Sequence, residues 1–573
     1  MRTVKMRAFT GYFLCCSAWL LGCSDNGTTL PNGAAAGATS GVSGSSSSAG
    51  SESAAGSTSS AGTAGSGTTA GSDAGGGGSG GSGGQAMAGS AGSGGSGGSA
   101  GGEVVGFSRP KGQLPNVARD PANVDVPRDQ WKKDIVSPTM DSLHHHNQPT
   151  VLNGYLNLNG NEEFWFWDIT DPAKPKQMTE YLTPNRDPMG GGKKEGEAES
   201  HCVSYAKYGS KFYEVTTGGH GVDIWDVSDQ SSVKHVKQLK LEGIDYGDFT
   251  AAVWGLSWQG DYIYVGGTDT GLHILDAHDP QNVTLVKRIP TSEFGTVSAG
   301  PLDAIGNILV ITTPKENGGI ATLDISDPVN PQYLDSIKPS KSYIGQFYRH
   351  FVFLQSPLRA WDVLTDPTNI GSADKPLSSV NTPGSEYLSF GDNNLFLGRL
   401  RPDGGATVYD VSDPTKAIVK KSTVWGRLDL GGVNDDQFTL MIGNLLVMGD
   451  DQEPYAGTVI GQWAAAPDTT PPVVDTIIPR DKSTGQSVKS RIGISFTDNI
   501  ELASVNEASF IVRPLGGAPL KGKWGSRMGV LNFDPDEDLK PATTYEVVLP
   551  EGGITDLVQN GMAQEFKSTF TTK

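Results

Sequence analysis

The feature that most constrains this chain is a short motif that occurs six times between residues 160 and 420. Each copy has an aromatic residue or Leu, an Asp, an aliphatic residue and, two or three positions later, a second Asp, which Pro follows in five copies. The intervals between copies, 38 to 58 residues, are those of propeller blades and too long for most solenoids. The first Asp of each copy is Asp168, Asp226, Asp276, Asp324, Asp362 and Asp410. One repeat therefore predicts one blade of an all-β propeller.

Strand and turn signals alternate within each unit. In the third unit, apolar stretches at 253–258, 262–265, 272–275 and 283–286 are separated by short polar turns, which predicts a four-stranded up-and-down blade. Asp and Ser side chains satisfy backbone N–H groups in tight turns, and Pro stops the preceding strand from continuing. We therefore expect the six Asp residues to be structural rather than catalytic.

These units resemble the LVIVD repeat of bacterial surface propellers. The nearest matches are residues 271–276 (GLHILD) and 319–331, and the resemblance covers about 144–463. A seventh copy at 438–448 and 458–463 keeps paired strands but lacks the Asp-Pro signature. We predict seven blades, with six or eight as alternatives. The resemblance implies a fold, not a chemistry, because propellers serve in binding, scaffolding and catalysis alike.

The N-terminus has the pattern of an export signal. A basic segment at 1–7 precedes an apolar run at 8–21 that is too short to anchor a protein across a bilayer. The run ends in Leu-Leu-Gly-Cys, which resembles the lipobox of bacterial lipoproteins. The resemblance implies a signal peptide at 1–22, lipid on Cys23, and, with Ser24 next, the outer membrane or cell surface of a Gram-negative bacterium. The alternative is an ordinary signal peptide with a chance Cys.

Residues 23–102 have the composition of a linker. They hold 27 of the 77 glycines, mixed with Ser, Ala and Thr and almost no apolar residues. Such a segment cannot bury enough surface to offset its chain entropy, so we predict a disordered tether with a span of roughly 50 Å. The predicted propeller then occupies 103–465.

The last hundred residues, 470–573, show the strand spacing of a β-sandwich. Pro471-Pro472, the stretch 539–545 (LKPATTY) and Asn560-Gly561 resemble the bacterial Ig-like domain of surface-layer proteins. The resemblance implies a spacer or adhesion module. Tyr545 follows a Pro-bearing corner and is a candidate tyrosine corner, with its hydroxyl bonded to backbone upstream.

The net charge and the cysteine content limit the possible partners and disulfides of the chain. The formal net charge of −19 argues against nucleic acid as a partner, because phosphate binding needs a concentrated basic surface. Beyond the signal peptide only Cys23 and Cys202 remain, so a lipidated Cys23 leaves no intramolecular disulfide. We expect Cys202 to be a packed strand residue.

One group of residues is a weak candidate for a metal site. Glu195, Glu197, Glu199 and His201 recur with period two, so an extended segment would place them on one face, and three histidines occur earlier at 144–146. Carboxylates and imidazole suit Zn²⁺ or Mn²⁺. The alternative is a solvated acidic loop with scattered histidines, and we expect no other cofactor.

These patterns favour a lipid-anchored propeller that acts as a binding module for another surface protein or a glycan. The rival is a propeller enzyme, a hydrolase or a metal-dependent oxidoreductase, that works at the channel mouth. A cluster of ionisable residues with shifted pKa values there would favour the enzyme.

A further expectation concerns the closure of the propeller ring. We predict that a strand from 103–160, a range that opens with the apolar stretch 103–108, completes the blade that holds 438–463.

Overall fold

We analysed a computed structural model of the chain. It describes residues 106–140, 148–159, 163–182, 202–246, 248, 250–314, 318–339, 345–355, 357–370, 376–382, 385–400, 404–428, 438–449 and 457–573. Within these ranges the protein is almost entirely β, with four short 3₁₀ helices (η1 Pro121–Asn123, η2 Arg128–Lys133, η3 Thr291–Glu293, η4 Leu502–Ser504). A helix long and apolar enough to cross a membrane is not found among the described residues.

The fold is a β-propeller followed by an Ig-like domain. In the propeller, consecutive strands pair antiparallel in groups, which we call blades. The blades are β1 Thr150–Leu152, β2 Tyr155–Asn159, β3 Glu163–Asp168 and β4 Lys176–Leu182; β5 Ser204–Tyr208, β6 Lys211–Gly218, β7 Gly221–Asp226 and β8 Lys234–Lys240; β9 Gly255–Gln259, β10 Tyr262–Gly266, β11 Leu272–Asp276 and β12 Thr284–Ile289; β13 Leu302–Ile305, β14 Ile308–Thr312, β15 Ile320–Asp324 and β16 Gln332–Ile337; β17 Gly345–Tyr348, β18 Phe351–Leu354, β19 Leu358–Asp362 and β20 Ser378–Val380; β21 Ser385–Gly391, β22 Asn394–Arg399, β23 Ala406–Asp410 and β24 Val419–Val424; and β25 Phe438–Ile442, β26 Leu445–Gly449 and β27 Thr458–Gln462. We count seven groups among the described residues, and the blade number of the whole ring stays a prediction.

The repeated Asp motif forms the turn between the third and fourth strands of six blades. In each copy the first Asp accepts the N–H two residues later, as Asp324 does from Ser326 at 2.7 Å. The second Asp does the same, as Asp327 does from Val329. In five blades a β-bulge lies just before the first Asp. The side chains of the motif therefore satisfy the backbone where the chain reverses.

The N-terminal segment closes the ring. Asp134–Met140 runs along β27: Ile135 bridges Gly461, the Val136 N–H donates to Ile460, and the Met140 N–H donates to Thr458. The expectation that a strand from 103–160 completes this blade is confirmed. The apolar stretch 103–108 is not that strand, because Asn506 of the Ig-like domain bonds the Gly106 carbonyl and the Ser108 hydroxyl, and residues 101–105 lie outside the described ranges.

The Ig-like domain is a sandwich of two sheets. One sheet has the order β28-β30-β33-β32 and the other β29-β35-β34-β31. Its strands are β28 Val474–Ile478, β29 Ser483–Gln486, β30 Ile492–Phe496, β31 Ile511–Pro514, β32 Gly522–Arg527, β33 Val530–Pro535, β34 Thr544–Leu549 and β35 Phe566–Thr572. The predicted tyrosine corner is confirmed: the Tyr545 hydroxyl accepts the Lys540 N–H at 2.7 Å.

The two domains share a sheet and a core. β32 pairs antiparallel with β5, the innermost strand of the second blade, so an eight-stranded sheet runs from one domain into the other. One cluster of buried side chains combines Phe164, Phe166 and Trp225 of the propeller with Ig-like residues such as Trp524 and Phe533. Residues 98–573 form one compact unit. Whether 103–465 and 470–573 also fold separately stays a prediction.

The predicted segments at 1–22 and 23–102 lie outside the described residues. The same is true of Cys23, which stays a predicted lipidation site.

Candidate functional site in the propeller channel

The Ig-like domain lies against one face of the propeller, which we call the covered face. This face is formed by the turns between the first and second strands of the blades. Six of these turns contact the Ig-like domain or the segments that flank it: 153–154, 260–261, 306–307, 349–350, 392–393 and 443–444. The second blade contacts it through β5. The cover therefore extends to every blade that the structure describes.

Carboxylates of the Ig-like domain bind backbone and side-chain donors on the covered face. Glu501, which is fully buried, accepts the N–H groups of Asn153 and Gly154, each at 2.9 Å. Asp475 accepts hydrogen bonds from Arg349 at 2.7 Å and from His350 at 2.6 Å. Such charge-assisted bonds are among the stronger polar contacts in proteins. They fix the orientation of the Ig-like domain on the ring.

A hairpin of the Ig-like domain enters the central channel. We call β32, β33 and their turn at 528–529 the channel hairpin. Asn532 bonds inner-strand groups, with its Oδ1 accepting from Gln259 and the Gly306 N–H. Gly525 packs so closely that a Cβ there would lie 2.0 Å from the Trp258 carbonyl oxygen. A side chain at 525 would push the hairpin out of register with the inner strands.

Arg527 is the main charged residue of the channel hairpin. Its Nη1 donates to Asp303 on β13 at 2.5 Å, and its Nε donates to the Cys202 sulfur at 3.0 Å. Burial lowers the pKa of Arg527, but the Asp303 carboxylate outweighs this effect and holds the pKa above its ordinary value. Cys202 is buried as expected, but it lies two residues before β5 rather than within a strand, and burial raises the pKa of its thiol. Arg527 and Asp303 thus form a buried ion pair that anchors the channel hairpin to the ring.

The hairpin ends at Met528. Its sulfur lies 3.3 Å from the Gln346 amide and 3.8 Å from the Gln148 amide, and these two residues belong to the fifth and first blades. The tip therefore reaches side chains from well-separated parts of the ring.

Beyond the hairpin tip, the channel contains a cavity lined by aromatic and amide side chains. Its lining includes Trp254, Tyr387 and Phe438, together with Gln148 and Gln346, and is completed by Pro301, Leu388 and Thr439. The Tyr387 and Phe438 rings stack with centroids 4.2 Å apart. We call this the aromatic cavity. Trp254 precedes β9 and Phe438 begins β25, so the cavity lies at the ends of these strands that are opposite to the covered face.

The chemistry of the aromatic cavity differs from that of the hairpin. No Asp, Glu, His, Lys or Arg is among the described residues that line it. Aromatic rings stack on flat apolar surfaces, and amides both donate and accept hydrogen bonds. The lining therefore offers stacking surfaces together with neutral hydrogen-bonding groups.

A buried carboxyl lies between the first two blades. Glu214 accepts hydrogen bonds from the amides of Asn157 at 2.6 Å and Asn159 at 3.2 Å, and the Tyr205 hydroxyl also bonds the Asn157 amide at 3.1 Å. Burial raises the pKa of Glu214 well above its ordinary value. This group belongs to the packing between blades rather than to the aromatic cavity.

The predicted metal residues Glu197, Glu199 and His201 lie outside the described residues, as do the histidines at 144–146. In the chain, the acidic stretch joins β4 to β5, and the histidines precede β1. The metal site stays a prediction. The six Asp residues lie in turns with backbone partners, as described above.

Sequence reasoning missed the channel hairpin and the aromatic cavity. Residues 527–529 carry no sequence motif, and Trp254 and Phe438 fall within predicted strands. The sequence signal for the cavity residues is their position: Trp254 precedes, and Phe438 begins, the first strand of its repeat.

Comparisons with known proteins agree with the two-part architecture. Residues 468–572 match the model of the bacterial Ig-like domain, and residues 252–291 match the LVIVD repeat. No curated protein is similar enough in sequence to match the chain.

Among solved structures, the chain is similar to three propeller-sized chains. The crystal structure of RRP9 WD40 repeats is 10% identical with a TM-score of 0.41, and the match covers 61% of this chain and 99% of that one. The structure of U3-55K is 11% identical with a TM-score of 0.40, and the match covers 57% of this chain and 98% of that one. The computationally designed Ika8 protein is 12% identical with a TM-score of 0.38, and the match covers 57% of this chain and 99% of that one. At these identities, the propeller assignment comes from the strand topology described above.

Proposed function

We propose that this chain, a propeller with an LVIVD repeat and a C-terminal bacterial Ig-like domain, is a surface-anchored binding module whose ligand occupies the aromatic cavity. The observation that carries the proposal is the lining: three aromatic residues and two glutamines from different blades converge there. Inner-strand ends that meet around a channel form a concave site, which is where ligands bind most often.

The ligand class follows from the lining. Stacked rings such as Tyr387 on Phe438 offer an apolar surface, and the amides of Gln148 and Gln346 offer donors and acceptors. A sugar ring has an apolar face and a rim of hydroxyls, so it fits both features. A charged ligand would lack a counter-charge among the described lining residues. A neutral glycan is therefore the ligand that we propose, with a glycan-bearing surface protein as its natural source.

The anchor and the linker fit this role. A lipid on Cys23 and a tether at 23–102 would hold the propeller away from the membrane and leave its channel accessible. The position of the Ig-like domain also supports the proposal. It occupies the covered face, so a ligand would reach the channel from the opposite end, where the aromatic cavity lies. Cell fractionation tests the anchor: Cys23→Ser should move the protein from the membrane fraction to a soluble one, and retention in the membrane would contradict lipidation.

A binding experiment tests the site. The whole chain is titrated with a panel of neutral oligosaccharides, with intrinsic tryptophan fluorescence and calorimetry as readouts. Trp254→Ala removes the largest aromatic surface of the cavity. Stacking of a base on an aromatic ring contributes on the order of 1–3 kcal/mol, and with a similar contribution from a sugar ring we expect affinity to fall roughly 5- to 150-fold.

Trp131→Ala is the matched control, because Trp131 lies in η2, away from the channel lining. It should leave affinity unchanged. Equal loss in both variants, or no neutral oligosaccharide bound by the whole chain, would contradict the proposal. Turnover of an added sugar, or Zn²⁺ or Mn²⁺ that co-purifies with the protein, would instead favour the enzyme.

A further inference from the structure

Three carboxylates converge at the junction between the propeller and the Ig-like domain. Asp468 lies in the segment that joins β27 to β28, Asp498 follows β30, and Asp556 lies between β34 and β35. One carboxylate oxygen from each lies within 4.8 Å of those of the other two. The three residues come from separate parts of the chain, so the fold itself brings them together.

Two of the three carboxylates are buried, Asp468 is partly exposed, and the described residues supply no counter-charge. Asp498 is 4% exposed and Asp556 is 1% exposed. None of the three forms an ion pair with a Lys, Arg or His among the residues that the structure describes. Like charges this close in a buried site repel strongly. A neighbouring carboxylate, Asp392 of the sixth blade, adds to the negative field, and only Lys421 opposes it there.

Some oxygens of the cluster lack hydrogen-bond donors. Oδ2 of Asp468 is buried and has no hydrogen-bond partner. The carboxylate of Asp498, in a side chain that is more than nine-tenths buried, receives a single N–H, from Asn499 at 2.7 Å. A buried carboxylate oxygen without a donor is costly unless a cation binds it.

Other hydrogen bonds hold the cluster in place. Asp556 accepts the N–H groups of Val558 and Asn560 and the Asn560 side-chain amide. The same amide donates to the Asp468 carbonyl at 3.2 Å, and Asn116 donates to that carbonyl at 2.7 Å. These hydrogen bonds hold the Asp556 carboxylate and the Asp468 backbone in place.

We propose that Asp468, Asp498 and Asp556 form a calcium site at the propeller junction. All three donors are carboxylate oxygens, which hard cations prefer, and the described part of the chain adds no nitrogen or sulfur ligand that would favour zinc. Mg²⁺ requires near-octahedral geometry and keeps several waters, which suits a buried three-carboxylate cluster less well than the irregular, oxygen-rich coordination of Ca²⁺.

A bound Ca²⁺ would link three parts of the molecule. Asp468 bonds Asn116 of the N-terminal segment through both its N–H and its carbonyl, and Asp498 and Asp556 belong to the Ig-like domain. The ion would therefore stabilise the covered face directly, independently of any ligand in the aromatic cavity.

Thermal unfolding of the whole chain tests the site. We compare the protein in EDTA with the protein in millimolar CaCl₂, a range that suits extracellular calcium modules. The expected result is a rise in Tm of several degrees with Ca²⁺, little change with Mg²⁺, and about one Ca²⁺ bound per chain by calorimetry.

Asp498→Asn separates a calcium ligand from a purely structural carboxylate. It keeps an acceptor for the Asn499 N–H but removes one charge, so in EDTA its Tm should equal or exceed that of the wild type, and Ca²⁺ should no longer raise it. A purely structural role would lower the Tm in EDTA and leave the calcium response intact.

The matched control is Asp538→Asn, an exposed acidic residue of the same domain, which should respond to Ca²⁺ like the wild type. No calcium-dependent shift in the wild type, or the same shift in Asp498→Asn and the wild type, would overturn the proposal.

Discussion

The two ends of the propeller channel are built from different chemistry. At the covered face, charged groups of the Ig-like domain bond the ring, with Arg527 on Asp303 and Glu501 on two backbone N–H groups. At the other end, Trp254, Tyr387 and Phe438 surround a cavity without charged residues among its described lining. Directed, charge-assisted bonds fix one arrangement of two partners, whereas stacking surfaces accept ligands of related shape. The difference fits the proposal that one end holds the molecule together and the other end binds a ligand.

The largest expected effect comes from opening the ring that carries both ends. Deleting 106–140 removes the segment that pairs with β27 and leaves a blade edge unpaired. It also removes the contacts that Asn116 makes with Asp468. We expect Tm to fall by more than roughly 10 °C, because several kcal/mol of packing and hydrogen bonding are lost.

A chain that begins at residue 106 is the control for this deletion. It lacks the predicted signal and linker but keeps the closing segment, so it should melt like the full chain in a calorimetric scan. Equal melting of the 106–140 deletion and this control would mean that the ring is closed without the segment.

The contrast between the two ends also shows what sequence could and could not predict. The Asp turns and the Tyr545 corner were predictable because each depends on residues within about five positions of one another. The channel hairpin was not, because β32 pairs with a strand more than 300 residues earlier, as the Ser204 to Ser526 bond shows. Alternation of apolar residues predicts that a strand is half-buried but not which strand it pairs with.

The candidate site was harder to predict than the fold. The sequence pointed to Glu197, Glu199 and His201, which lie in a range that the structure does not describe. The aromatic cavity is assembled from single residues in different blades, and a lone Trp or Phe at the start of a strand is more often a core residue. Only the closure of the ring brings these residues together.

The second prediction breaks the covered face alone. Arg527→Met leaves the Asp303 carboxylate buried without its partner, and removing one member of a buried pair typically costs about 3–5 kcal/mol. Urea unfolding should show this loss, and adding Asp303→Asn to Arg527→Met should restore part of it.

Arg513→Met is the control, since the Arg513 pair with Glu546 is partly exposed, with Arg513 at 35%. Surface pairs contribute about 0–1 kcal/mol, so its loss should be small. If the two arginine variants were equally stable, the channel hairpin would not be the anchor of the covered face.

The third prediction tests whether Glu214, a buried carboxyl inside the ring and away from both channel ends, makes the stability of the protein depend on pH. Burial holds the pKa of Glu214 well above its ordinary value. As pH rises above the unfolded pKa, the unfolded chain loses this proton while the folded chain keeps it. Stability should therefore fall with pH, by about 1.4 kcal/mol per unit for one proton, until the folded pKa is passed.

Glu214→Gln removes this titration. The variant should gain on the wild type as pH rises from about 5, above the unfolded pKa, in urea titrations at fixed ionic strength. The substitution itself should cost little, because the buried Oδ1 atoms of Asn157 and Asn159 have no partners and can accept from the new amide. A difference between wild type and variant that stays constant over this pH range would contradict the assigned pKa direction.

The smallest expected effect concerns the Asp turns, which connect the covered face to the blades. Asp410 accepts the Ser412 N–H at 2.9 Å, and the Ser412 carbonyl accepts from Arg349, which also bonds Asp475 of the Ig-like domain. Hydrogen bonds from the Ser412 side chain and N–H lower the pKa of Asp410. A lowered carboxyl pKa stabilises the fold above the unfolded pKa, and this contribution disappears as pH falls through the folded pKa.

Asp410→Ala should therefore cost about 0.5–1 kcal/mol at pH 7, similar to the loss of a helix N-cap, and the difference should shrink toward pH 3. Asp410→Asn keeps an acceptor for the Ser412 N–H and should lose less. Both variants should bind ligand in the aromatic cavity like the wild type, because the turn lies at the covered end. A loss of binding with unchanged stability would place the Asp motif in recognition rather than in the backbone of the turn, and the division between a structural end and a binding end would then be wrong.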